Sequence, residues 1–153
     1  MYEIVLTLHS LLRWVVVVFG VWAVVTAAAA ASRRSWTPGE ARPGMLFTIG
    51  LDVQLLVGLL LYVVLSPVTR TALLDFGAAM RTSSIRFWAV EHPALMLLAV
   101  VLAHVGRSAT RYAGSDKAGA RARLWFGLAL LALLLATPWP FMPNGRPWLR
   151  LPL

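Results

Sequence analysis

The sequence predicts an all-α membrane protein, an antiparallel up-down bundle of four transmembrane helices. Three observations predict it. Of 153 residues, 59% are hydrophobic and 13% charged, with a mean hydropathy of +0.75. A soluble domain of this length has too much surface for its volume to hide that apolar content. Several runs exceed the roughly 18 apolar residues that mark a bilayer span. The segments between them are short, polar and rich in Pro, Gly, Ser and Arg, as expected where neighbouring helices reverse direction.

The first helix is expected over residues 4–31. Its AAAAAS end resembles a signal-cleavage site, but no basic residue precedes Arg13 and the apolar run is about 27 residues, which reads as a retained span. SRRSWTPGEARPG then breaks the chain before a second helix at 45–65. The connection SPVTRTALLDFGAAMRTSSIR leads to a third at 87–106, and RSATRYAGSDKAGARAR to a fourth at 124–139. The fourth stops at PWPFMPNGRPW, where prolines forbid continuation and tryptophans suit the headgroup layer. No repeat divides the chain, so residues 1–153 are expected to form one domain.

The formal charge is +8. In a chain this apolar the arginines set topology rather than bind nucleic acid. Arg33, Arg34 and Arg42 in the first connection and Arg107, Arg111, Lys117, Arg121 and Arg123 in the third make eight. Arg70, Arg81 and Arg86 in the second and Arg146 and Arg150 in the tail make five. The bias puts the first and third connections on the cytoplasmic side of a membrane and both termini outside. The absence of cysteine excludes disulfides, thiolate-held clusters and covalent haem attachment, so any redox centre must use His, Met or carboxylate.

Within this frame His9 and His92 stand out. Each lies about five residues inward from the outer end of a parallel helix, roughly 7–8 Å deep. His9 heads a stripe of Val16, Gly20, Ala23 and Ala27, and His92 one of Ala99, Ala103 and Gly106. Such stripes permit close helix approach or leave room for a flat macrocycle. Ionisable groups inside a membrane are costly and mark function by default. Arg13 sits one turn below His9, and Glu91 adjoins His92. They could pair with each other. Alternatively, Arg13 could hold a haem propionate or quinone carbonyl while Glu91 orients a histidine or moves a proton. Tyr62 lies at similar depth, where it could close the same pocket or serve as a belt tyrosine. Deeper, Asp52 and Gln54 reach the level of His104, and an Asp52–His104 pair is expected, as a structural contact or a proton relay.

Zinc or copper would need three or four ligands in tight geometry, and no nucleophile–base set or phosphate loop is present. Haem b needs only two axial nitrogens from facing helices and an apolar slot, with arginines such as Arg86 and Arg70 near its propionates. The motifs HSLLRW (9–14), DVQLLVGLLLY (52–62), RFWAVEHPALML (86–97), GR (106–107) and PWP (138–140) resemble small bacterial four-helix membrane proteins labelled cytochrome b or cytochrome b561-like. The resemblance covers nearly the whole chain in order. It implies haem-linked electron transfer and marks His9, Arg13, Gln54, Tyr62, Arg86, Glu91 and His92. One departure is Asp52, where members of the family often carry His; a ligand lost there would make this chain a structural relative, with His104 as a compensating change. The leading expectation is therefore a haem b protein, an electron carrier rather than an enzyme, with His9 and His92 as iron ligands. It would exchange electrons with quinone or a membrane redox partner. The alternatives are a haem-free accessory subunit of a respiratory or photosynthetic complex, and a copper- or proton-handling protein using His9, Glu91 and His92.

Overall fold

The structure is a computed structural model that describes residues 1–111 and 116–149. It is all-helical, with no strand among the described residues. Helix α1 spans Tyr2–Arg33. Arg34 closes it in the left-handed conformation, returning its N–H to the carbonyls of Ala30 and Ala31. A 3-10 turn at Pro38–Glu40 leads into α2, Ala41–Leu60, which continues as a π turn over Leu61–Leu65. Three short helices follow: α3 Pro67–Leu74, α4 Phe76–Arg81 and α5 Ser83–Arg86. A second π turn, Phe87–Glu91, joins them to α6, His92–Thr110, and α7 is Ala118–Ala136. Four stretches are long and apolar enough to cross a membrane: Tyr2–Arg33, Pro38–Leu65, Ser83–Thr110 and Ala118–Ala136.

The last stretch starts six residues earlier than its apolar run and ends at Ala136, because Pro138 and Pro140 supply no N–H to extend it. The second connection is helical where the sequence reads as breakers. Ser66 accepts from Thr69 N at 3.3 Å ahead of Pro67, and Asp75 accepts from Ala78 N at 2.8 Å. Each side chain satisfies a first-turn donor and starts a short helix. Arg150, counted with the outer cations, lies outside the described residues.

The spans pack as a ring, α1 on α2, α2 on α6, α6 on α7 and α7 on α1. Their size pattern is inverted relative to a soluble bundle. Ala23, Ala27, Ala30, Ala99, Ala103, Ala122, Ala129 and Ala136 fill the interior, while Ile4, Val18, Leu56 and Val101 face outward. Lipid tails are as apolar as leucine, so association rests on close van der Waals contact, which small residues allow. The large interior rings are Phe47 and Phe126, edge to face at 6.3 Å. A Cβ at Gly20 would stand 2.8 Å from Phe47, and one at Gly44 or Gly106 would stand 2.4 or 2.9 Å from Phe126. The stripes beneath the two histidines are therefore filled by side-chain packing and hold no macrocycle slot.

Candidate functional site

The slot lies higher, beside the histidines themselves. Their rings are 6.3 Å apart, centre to centre, at 70°. Two adjoining cavities share His9, Gln54, Gly58, Tyr62, His92 and Met96 as walls. One, of about 260 Å³, runs along the α2–α6 seam to Leu59 and Leu97. Both leucines are exposed, so this cavity reaches the lipid-facing surface. The other, of about 120 Å³, extends toward Arg13, Arg146 and Trp88.

Local chain chemistry sets the orientation of His92. Helix α7 ends at Ala136, which leaves its last carbonyls without helical donors. His92 Nδ1 lies 2.8 Å from the Ala136 carbonyl oxygen. A carbonyl only accepts, so Nδ1 carries the proton, and in the neutral ring Nε2 keeps its lone pair. That is the second partner metal-binding histidines commonly have. Pro93 acts similarly one turn back. It has no N–H for the carbonyl of Ala89, and the Tyr62 hydroxyl donates to that oxygen instead at 2.8 Å. The two π turns thus meet at the site, as π bulges often do. In the first of them Ser66 N bonds the Leu61 carbonyl at 2.8 Å, and Thr69 Oγ1 donates to the bypassed Tyr62 carbonyl at 2.7 Å.

His9 is held from its backbone, where Gln54 Nε2 donates to its carbonyl at 2.9 Å. A Cβ at Gly58 would stand 3.2 Å from its Cε1, so glycine there leaves the imidazole its room. His9 Nδ1, Gln54 Oε1, Arg13 Nε and Thr7 Oγ1 are buried without a hydrogen-bond partner. Unpaired buried polar atoms are rare because each costs on the order of 1–3 kcal/mol. Three of these four belong to residues lining the cavity.

The remaining expected residues fall in two groups. Arg13 and Tyr62 line the cavity; Arg86 and Glu91 do not. Arg13 donates to the Trp148 carbonyl at 3.0 Å and lies 5.2 Å from the centre of the Trp14 ring, rather than pairing with Glu91. Glu91 accepts from Arg86 Nε at 2.7 Å near the surface. A π turn brings residues five apart onto one side, which an α-helical reading does not. Arg70 donates to the Val64 carbonyl. Arg146, which the sequence offered only as a topology signal, lines the cavity with its guanidinium 5.1 Å from the centre of the Trp88 ring. The tail carries it there through Arg146 N donating to the Pro138 carbonyl at 3.1 Å. Trp14, Trp139 and Trp148 pack together above it, with Trp14 Nε1 donating to the Trp148 carbonyl at 2.9 Å.

The second cluster is separate. His104 Nε2 lies 2.9 Å from Asp52 Oδ1, with side chains 52% and 41% exposed, so the pair faces out of the bundle and lines neither cavity.

The residues present fit a haem held by two histidines. The two imidazoles line one cavity with their centres 6.3 Å apart, and the bond of His92 Nδ1 to the Ala136 carbonyl leaves its Nε2 for a metal. Among the described residues no three His, Cys, Asp or Glu side chains gather as a metal site. No family model, curated protein or solved structure matches the chain.

Proposed function

We propose that this chain is a haem b-binding protein of the bacterial cytoplasmic membrane that relays electrons between quinone or a membrane enzyme and an outward-facing partner. In this reading it is an electron carrier, the activity that the cytochrome b561-like resemblance implies. His9 and His92 would hold the haem, and the group would supply one-electron transfer. The observation that carries the reading is the pair of imidazoles 6.3 Å apart, with His92 Nε2 left free by the bond to Ala136. The Ala136 carbonyl and Gln54 hold the two ligand segments in place. The charges of Arg13 and Arg146 favour the state with one less positive charge.

Asp52 and His104 take no part in holding the group. His104→Ala should leave the low-spin spectrum of haem-loaded protein unchanged, as measured by reduced-minus-oxidised absorption. A spectrum lost with His104 would move the ligand set to the deeper pair. That outward-facing pair also favours a second reading, an accessory subunit whose partner helix covers it. A polar pair left against lipid is costly.

The four spans run up and down, with both termini outside. The chain has no cysteine, so single cysteines can report this topology. A cysteine at Ser35 should react with an impermeant thiol reagent only in inverted vesicles, and one at Ser83 only in intact spheroplasts. The reverse pattern would place the histidine site in the inner leaflet.

A further inference from the structure

The geometry points to an anion site in the smaller cavity, formed by Arg146 and Arg13, which takes the carboxylate or phosphate end of an amphipathic ligand. It rests partly on the haem reading, since haem propionates are one source of that chemistry; the anionic headgroup of a membrane lipid is the other. The smaller cavity is lined by two guanidiniums, by Ser10, Ser66, Thr69 and Thr137, and by no Asp or Glu. The neighbouring carboxylate, Glu91, is committed to Arg86.

Arg13 is only 9% exposed. One of its donors is engaged by the Trp148 carbonyl, while its Nε has no partner. Arg146 rests on the face of Trp88 and takes no carboxylate or carbonyl among the described residues. Two cations lining one chamber repel each other until an anion joins them.

The tail turn that delivers Arg146 is tightly built. A Cβ at Gly145 would lie 2.5–2.8 Å from the carbonyl oxygens of Trp139, Met142 and Pro140, so the chain can close there only with glycine. Away from the cations the wall is largely apolar, with Leu6, Leu61, Met96 and Leu133. Two cations in an otherwise largely apolar wall suit a ligand with a charged head and an apolar body. Planar guanidinium also matches carboxylate or phosphate oxygens in a way that ammonium does not.

The test uses full-length protein in detergent, titrated with protohaem and with its dimethyl ester, in which both propionates are uncharged. Wild type should bind protohaem tighter than the ester by roughly tenfold or more, the worth of one charge-assisted hydrogen bond. Arg146→Gln should lose most of that preference while still binding the ester, and Arg146→Lys should recover part of it. Equal affinity for both forms in wild type, or a preference unchanged in Arg146→Gln, overturns the anion site and leaves the haem reading standing. If neither form binds, the haem reading fails, and native mass spectrometry of protein from phosphatidylglycerol-containing membranes decides. An anionic lipid retained by wild type and lost in Arg146→Gln supports the anion site with lipid as its source. No retained anionic lipid, or equal retention in both proteins, overturns it.

Discussion

Alanine at His9 or at His92 is expected to abolish the six-coordinate, low-spin absorption of haem-loaded protein. One imidazole cannot hold both axial positions, and the loss should exceed the roughly 10–100-fold drop in affinity that follows removal of an outer partner of a metal ligand. The two substitutions differ in their side effects. His92→Ala also strips the Ala136 carbonyl of its donor, adding a stability cost of about 1 kcal/mol. His9→Ala removes a side chain whose Nδ1 has no hydrogen-bond partner, so the cost to the fold should be smaller. Free imidazole added to either variant should re-enter the vacated position and restore the low-spin spectrum. Restoration separates ligand loss from misfolding. A wild-type-like spectrum in both variants would show that neither ring is a ligand.

Gly119→Ala is expected to cause a large loss of stability. A Cβ there would stand 2.6 Å from Ala31 N, 2.9 Å from Ala30 C and 3.0 Å from Ala31 Cα. All three are backbone atoms, so no rotamer change relieves the clash and α1 must move off α7. Overpacking of this kind costs about 1–3 kcal/mol and sometimes more, and here it strikes a contact between the first and last spans. Gly127 in the same helix has nothing within 4 Å of its added Cβ. Gly127→Ala should therefore be neutral, or stabilising by up to about 1 kcal/mol through helix propensity. Thermal unfolding in one detergent measures both. Equal effects at the two positions would contradict the packing described for α1 and α7.

The parts of this architecture that were legible in the sequence are those set by local period and depth. Four apolar runs gave four long helices, and counting inward from the outer ends brought His9 and His92 to one level. The same arithmetic brought Asp52 to His104. What was not legible depends on chain reversals and on non-α turns. Arg13 meets the Trp148 carbonyl because the tail folds back over the bundle, and no periodicity in the first helix encodes that. Glu91 reaches Arg86 because a π turn separates them. A signal for that turn existed in Pro93, which cannot donate to the carbonyl of Ala89. The helices of the second connection were likewise announced by Ser66–Pro67 and Asp75, which read equally well as turn residues. Arg146 carried no local mark, since a basic residue after the last span reads as a topology signal whichever way its side chain turns.

The central claim is that His9 and His92 bind one haem between them. Haem titration of purified wild-type protein, followed by absorption and electron paramagnetic resonance, tests it most directly. The account predicts saturation at one haem per chain, with a six-coordinate low-spin centre ligated by two imidazoles in both oxidation states. Absence of a saturable Soret band, or a haem that stays high-spin at saturation, would contradict it.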